Sequence, residues 1–315
     1  MGKNSNITNL IVDIEQQLLT IYDDPVLCEQ YAWWTIQAIT QLSKTALVTQ
    51  NNISLSQDQQ AQLDDWLEKL ITQQMPIAYL IGSVPFCDVD ILVEPPTLIP
   101  RPETEEWCSD LINQLKTLHD KKITILDLCC GTGCIAIALA CALPEAQIYA
   151  SDISESAIAL TQKNIAHNKL DNITVIKSDL FENLNINTQY DIIVSNPPYI
   201  AHSEWKTLNE SVTRWEDKNA LLADDDGLAI IKKIIMQSPA YIKDNKELAQ
   251  KNIAQVIIEI DYSQGPIMRA YMRQHYYTDA RIKKDLEGKD RIIMGRTPFD
   301  HDPSTNSGRT GERGE

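Results

Sequence analysis

No run of about 18 apolar residues occurs anywhere in the 315 residues, so the sequence offers no membrane-spanning helix. The start, MGKNSNITNL, carries neither the apolar core of a signal peptide nor the arginine-rich pattern of a transit peptide. Its Ser5 also falls one place short of a myristoylation start at Gly2. A cytoplasmic location without membrane contact is therefore expected. Positive charge is scarce too: 28 Lys+Arg against 44 Asp+Glu leave a formal net charge of −16. Nucleic acids are held by neutralising phosphates, so direct nucleic-acid binding is not expected and a basic protein or an uncharged ligand fits better. The seven cysteines include no Cys-x-x-Cys pair. Cys129, Cys130 and Cys134 lie close in sequence, but adjacent cysteines chelate poorly and the five histidines are scattered, so the metal expectation is none and the cysteines read as reduced thiols.

What is present is enough apolar residue, 43%, to bury a sizeable core, in a chain about twice the usual domain length. Ile7, Leu10, Ile11, Ile14, Leu18 and Ile21 recur at helical spacing. A second helix follows Pro25 with Leu27, Tyr31 and Trp34 on one side, and a third starts at the Ser56/Gln59 capping pattern with Leu63, Trp66, Leu67, Leu70 and Ile71 on its stripe. The tryptophans Trp33, Trp34 and Trp66 are expected in the core of this helical part. Residues 1–74 read as a helical substrate-recognition domain and 75–102, with alternating apolar residues and the prolines Pro85, Pro95, Pro96, Pro100 and Pro102, as a connector with a β-hairpin.

From 103 to 300 short β-branched runs alternate with helical stretches: strands at 123–128, 147–152, 173–179, 190–196, 254–261 and 291–295, helices at 133–143, from Ser154 and around 227–238. That alternation predicts an α/β domain with a parallel, doubly wound, Rossmann-like sheet. The last segment, 301–315, has no large apolar side chain and reads as a disordered tail.

Two motifs carry chemistry. In Asp127-Leu-Cys129-Cys130-Gly131-Thr132-Gly133 a strand turns through glycines into a helix, which brings backbone amides close to a ligand. Asp152 ends the next strand, 19 residues after Gly133, placed to accept both hydroxyls of a ribose. Asp127 would repel an anionic pyrophosphate and suits a cationic ligand such as S-adenosylmethionine, which weighs against a nicotinamide oxidoreductase. Asp179, ending the third strand, is a candidate acceptor for an adenine amino group.

The second motif is Ser195-Asn196-Pro197-Pro198-Tyr199, directly after a strand. Prolines lack N–H groups, so the loop offers acceptors with few competing donors. Asn196 Oδ1 and the Pro197 carbonyl suit the two protons of a planar NH₂ group, with Tyr199 packed on its flat face.

The pairing of DLCCGTG with SNPPY resembles the Class I SAM-dependent methyltransferases that act on exocyclic or amide nitrogens. Leu98–Glu105 (LIPRPETE), Glu259–Gln264 (EIDYSQ), Lys284–Arg291 (KDLEGKDR) and the N-terminal helices narrow the resemblance to the HemK/PrmC family of release factor glutamine methyltransferases, over residues 5–296. The resemblance implies methylation of the side-chain amide nitrogen (N5) of the glutamine in the Gly-Gly-Gln loop of peptide chain release factors. It implies Asn196, Pro197 and Tyr199 as catalytic and, with Pro198, substrate-binding. Asp127, Cys129, Cys130, Gly131, Thr132, Gly133, Asp152, Asp179, Leu180 and Asn196 would line the S-adenosylmethionine site. Cys129 stands where the family has the first glycine of Gly-x-Gly-x-Gly, Leu180 where relatives often have Trp, and Asp261 where they have Gly. A monomer is expected. A glutamine of a ribosomal protein and adenine N6 of a nucleic acid are the alternative substrates, the second disfavoured by the acidic charge. A non-catalytic S-adenosylmethionine-binding scaffold would be expected to have lost Asn196 or the prolines. Arg101 and Glu103, flanking Pro102 at a helix start, are ambiguous between structural and active-site roles.

Overall fold

The computed structural model describes residues 4–297 except Lys121. The tail expected at 301–315, and 298–300, lie outside the described residues. The described residues divide into two compact units: those up to Val84 with Asp90–Ile99 and Lys206–Lys218, and Pro85–Val89 with Pro100–Trp205 and those from Asn219 onward.

The first unit opens with β1 (Asn4–Asn6), α1 (Ile7–Leu18), α2 (Pro25–Thr40), α3 (Lys44–Gln50), β2 (Asn52–Ser54), α4 (Gln57–Thr72) and α5 (Ile77–Ile81). β1 and β2 pair antiparallel. Side-chain oxygens start the longer helices: Asn6 accepts from the Thr8 and Asn9 amides, Asp24 from those of Val26 and Leu27, and Ser56 with Gln59 forms a reciprocal capping box. Ile14, Leu18, Ile36, Leu47 and Leu70 meet in a fully buried core.

Two expectations fail in this unit. The buried face of α2 is Cys28, Ala32, Thr35, Ile36 and Ile39, not the side carrying Trp34, which is 40% exposed. Small residues let α2 approach its neighbours closely, so the bulky aromatics fall on the other side: Trp34 stacks on Tyr31 and Trp33 lies under the Lys44 ammonium. Ile21 lies beyond the end of α1 and is exposed, because α1 closes at Leu18.

β3 (Ser83–Phe86) and β4 (Val89–Leu92) follow as a hairpin whose turn residues Cys87 and Asp88 both have positive φ. Then come α6 (Pro102–Leu115), β5 (Thr124–Leu128), α7 (Cys134–Ala142), β6 (Gln147–Asp152), α8 (Glu155–His167), β7 (Ile173–Lys177), β8 (Ile192–Ser195) and β9 (Ile200–Ala201). After these, α9 (Glu210–Trp215) belongs to the first unit, where the Trp215 indole donates to the Gln73 carbonyl at 2.9 Å. The second unit continues with β10 (Leu222–Ala223), α10 (Ala229–Gln237), α11 (Lys246–Gln250), β11 (Val256–Glu259), α12 (Gly265–Gln274), β12 (Thr278–Lys284) and β13 (Asp290–Arg296).

Its seven-stranded sheet has the order β12-β13-β11-β8-β5-β6-β7. The five strands from β7 to β11 are parallel, and the runs of Ile, Val and Leu in the three central ones, β5, β8 and β11, are buried on both faces, as crossover helices require. The expectation of a wholly parallel sheet is corrected at one edge. β13 runs antiparallel to both β11 and β12, because the short turn between β12 and β13 can only return the chain in the opposite direction.

Two substitutions separate capping from packing in the helical unit. Ser56→Ala is expected to cost about 1 kcal/mol of unfolding free energy through the lost cap, and Leu70→Ala about 2–5 kcal/mol through its cavity, both read from denaturant midpoints.

Candidate active site

Strand order locates the site before any side chain is considered. From β5 the chain moves outward to β6 and β7 on one side, and β8 and β11 follow on the other. Such a reversal opens a crevice at the carboxyl ends of the two central strands. Both sequence motifs leave from that point: β5 ends at Leu128 and β8 at Ser195, paired in register and tied by Ser195 Oγ donating to the Leu128 carbonyl at 2.8 Å.

The first loop turns through left-handed backbone at Cys129 (φ 59°), Gly131 (φ 56°) and Gly133 (φ 80°). Cys129 thus holds, at a steric cost, a conformation that glycine adopts freely. At Gly133 a Cβ would lie 2.8 Å from Thr161 Cγ2, so the close approach of α8 also requires glycine there. α8 fastens the loop with two side chains that sequence reasoning missed: Thr161 Oγ1 donates to the Gly131 carbonyl and Asn164 Nδ2 to that of Thr132, each at 3.0 Å. Their signal was polarity at core-facing positions, since Ala157, Leu160, Thr161 and Asn164 share the buried face of α8.

Asp152 accepts from the Gly131 amide through Oδ2 and from the Ser154 amide through Oδ1, each at 2.9 Å, so it fixes the loop and the entry to α8 together. Asp127 is fully buried. Its Oδ2 accepts from the Ala136 amide in the first turn of α7 at 3.2 Å, while Oδ1 has no hydrogen-bond partner among the described residues. Burial pushes its carboxyl well above the usual carboxylate range, and the charge of Asp152 adds to the rise. Asp179 is half-buried beyond β7, and Leu180 is buried beside it. Burial raises the thiols of Cys130 and Cys134, the latter to about 12, so both stay protonated near neutrality.

The second loop is held by residues from three distant parts of the sequence. Asn196 Nδ2 donates to Thr104 Oγ1 at 3.1 Å, and Thr104 Oγ1 donates to Glu259 Oε2 at 2.7 Å. The Trp107 indole donates to the same oxygen at 2.8 Å, and the Tyr199 hydroxyl to Glu259 Oε1 at 3.2 Å. Glu259 is only 1% exposed. Burial pushes its carboxyl up, opposed by these three donors and by the charge of Arg291. The Tyr199 phenol is raised by its own burial and by the Glu259 charge, so it remains protonated. Its carbonyl accepts from Gln264 Nε2 at 2.9 Å, and a Cβ at Gly227 would lie 2.1 Å from that carbonyl oxygen, which leaves room only for glycine. Pro197 is buried and Pro198 half-buried.

Asn196, Pro197, Pro198 and Tyr199 therefore leave β8 beside the 129–133 loop that follows β5. Thr104, Trp107 and Glu259 are the residues that sequence reasoning missed, although Thr104 and Glu259 lie inside two of the stretches that carried the resemblance and Trp107 is two residues beyond the first. Arg101 and Glu103 stand at the start of α6, where Arg101 occupies the cap position without a side-chain capping bond and Glu103 is in the first turn.

Known proteins resemble this chain along most of its length. The model of the Methyltransferase small domain matches residues 108–250, and that of the PrmC N-terminal domain matches residues 13–82. The release factor glutamine methyltransferase of Flavobacterium psychrophilum is 35% identical over 292 residues, covering 91% of this chain and 98% of that protein. The one from Salmonella typhimurium is 36% identical over 262 residues, covering 83% and 89%. A solved protein-(glutamine-N5) methyltransferase (release factor-specific) from Alicyclobacillus acidocaldarius is 24% identical with a TM-score of 0.38, covering 64% of this chain and 95% of that one. Identity above 30% along nearly the whole length of such relatives settles the kinship: the chain belongs to the release factor glutamine methyltransferase family.

Proposed function

We propose that this protein transfers the methyl group of S-adenosylmethionine to the side-chain amide nitrogen (N5) of the glutamine in the Gly-Gly-Gln loop of a peptide chain release factor. The observation that carries the reading is the Ser195–Tyr199 loop beside the glycine loop at the sheet's switch point, with the Asn196 amide held through its nitrogen. The helical unit built on residues 1–74 is the part that recognises the release factor, and residues 75–102 connect it to the transferase domain of residues 103–300. A net charge of −16 supports action as a monomer on a protein without direct nucleic-acid contact. Among the described residues no helix is long and apolar enough to cross a membrane, and the seven free cysteines suit the reducing cytoplasm.

The residues present fit S-adenosylmethionine. The partnerless Oδ1 of the buried Asp127 lacks a cation or donor, and the left-handed turns through Cys129, Gly131 and Gly133 let the backbone, with Cys130 and Thr132, approach a ligand closely. Asp152, at the carboxyl end of β6, supplies the carboxylate for a ribose, while Asp179 and Leu180 border the base. When bound, S-adenosylmethionine supplies an electrophilic methyl group on a sulfonium centre.

An amide nitrogen is a weak nucleophile because its lone pair is shared with the carbonyl. Asn196 Oδ1 and the Pro197 carbonyl accept its two protons, while Tyr199 packs on the flat face of the amide. These contacts align the nitrogen, raise its electron density and favour the positive charge that develops there. The buried thiols and the Tyr199 phenol are held protonated, so the excess proton leaves to water rather than to one of them.

Transfer from labelled S-adenosylmethionine to a purified release factor, run beside the factor with its Gly-Gly-Gln glutamine changed to alanine, tests the reading. Label on the first and none on the second is expected; label on both, or on neither, would refute it.

The two loops divide the labour. Asn196→Ala is expected to lower kcat about 100-fold with S-adenosylmethionine binding nearly unchanged, as for loss of one transition-state hydrogen bond. Asp152→Ala is expected to weaken binding of S-adenosylmethionine by about 10- to 100-fold, the scale of a charge-assisted hydrogen bond. Isothermal titration and single-turnover rates would separate the two effects.

Asp127 couples binding to pH-dependent stability. Its folded-state pKa is raised, so as pH climbs through that value the unfolded chain gives up the proton more readily than the folded one, and stability falls. Asp127→Asn removes the loss. The Tm of the ligand-free variant should exceed that of the wild type by an amount that grows with pH and fades in acid, while its affinity for S-adenosylmethionine drops. Thermal melts across pH would show this, and a Tm gap independent of pH would contradict it.

A further inference from the structure

Resting on the function proposed above, we infer that Thr104 and Glu259 are positioning residues that set the polarity of the Asn196 amide, so that the site presents an acceptor and selects an amide over a carboxylate. Neither touches the reacting atoms in this scheme; both act through Asn196.

The inference follows from counting hydrogens along the chain of bonds. The direction is set at Glu259 Oε2, the oxygen on which the Thr104 and Trp107 donors converge. Trp107 Nε1 is a donor only and points at Glu259 Oε2, which fixes that oxygen as an acceptor. Thr104 has a single hydroxyl hydrogen, and at 2.7 Å it goes to the same Oε2. What remains on Thr104 Oγ1 is lone pair, and 3.1 Å away that lone pair can be satisfied only by the NH₂ branch of Asn196. Oδ1 is then on the other branch of the amide, turned away from Thr104. A free asparagine flips between its two orientations at little cost, whereas this one is read by a buried relay of fixed direction.

The relay also explains the positions of its members. Thr104 belongs to the LIPRPETE stretch and Glu259 to the EIDYSQ stretch, 155 residues apart and both nearly fully buried, and Asn196 heads the NPPY loop. A polar group buried this deeply without a ligand-directed purpose would be replaceable by an apolar one at lower desolvation cost. Here the carboxylate serves three donors on α6 and on the NPPY loop, and the loop's only side-chain amide is the end of the line.

The consequence is a selectivity that a merely structural residue would not control. With Oδ1 and the Pro197 carbonyl both facing the substrate, an NH₂ group is matched, and a glutamate side chain at the same place meets two acceptors and is repelled. Once Thr104 no longer holds the amide, Asn196 can turn its own NH₂ toward a carboxylate.

The test uses the full chain, S-adenosylhomocysteine, and two release factors, one natural and one with the Gly-Gly-Gln glutamine changed to glutamate. Wild type is expected to bind the glutamine form more tightly. In Thr104→Val this preference is expected to shrink about tenfold, the scale of one net hydrogen bond, and kcat on the natural factor to fall by a similar factor. Affinity for S-adenosylhomocysteine should be unchanged, and Thr104→Ser, which keeps the hydroxyl, should restore both preference and kcat. Thr104→Ala gives the same readout if the valine variant does not fold. An unchanged preference in the valine or alanine variant, whether or not kcat falls, would overturn the inference, as would failure of the serine variant to restore it. Failure of the proposed function is distinguishable, since wild type would then leave the natural factor unlabelled.

Discussion

One buried carboxylate organises the carboxyl end of the sheet. Glu259 ends β11, and withdrawing a negative charge from water to that depth is tolerable only because three side-chain donors converge on it and the Arg291 charge lies near. The geometry runs outward from that constraint. Trp107 and Thr104 fix the first turns of α6 against the sheet, Tyr199 is drawn inward by its hydroxyl, and the NPPY loop is held at both ends, by Asn196 on Thr104 and by the Tyr199 carbonyl between Gln264 and Gly227. A rigid acceptor loop is what a weakly nucleophilic amide needs, because its reaction depends on alignment more than on proton abstraction.

The glycine loop is rigid for a different reason. Its own residues supply conformational freedom, and α8 removes that freedom again through Thr161 and Asn164 while Asp152 closes the loop from the side. The strained Cys129 is compatible with this arrangement because its neighbours determine the backbone path on both sides. Two loops of different make thus leave neighbouring strand ends: one turns through glycines between Asp127 and Asp152, the other is stiffened by prolines and has few backbone donors.

Much of this was legible in the residues. Strand-loop-helix patterning placed β5, β6 and β8 and the residues that end them, because glycines, prolines and strand-terminal acids act locally and leave local marks. Thr104 and Glu259 left none. Their meaning lies in a contact 155 residues long, and in the sequence Thr104 is hidden between two charged neighbours that attract attention first. The exposed face of α2 was misread for a related reason: aromatic bulk resembles core, yet close helix contact selected Cys28, Ala32 and Thr35 instead. The antiparallel β13 followed from turn length, and the strand preceding it, β12, is mostly polar and half exposed, so its period was not visible.

The excursion of Lys206–Lys218 into the first unit bears on how the chain acquires its shape during synthesis. Helical units at a protein's start ordinarily complete themselves as they leave the ribosome, since domains tend to fold as units in order of synthesis. Here the Gln73 carbonyl waits for the Trp215 indole, which emerges only after the glycine loop, α8 and the NPPY loop have been made. The helical unit therefore receives its last described segment only after β5 to β8 have been synthesised, although before β11 and its Glu259.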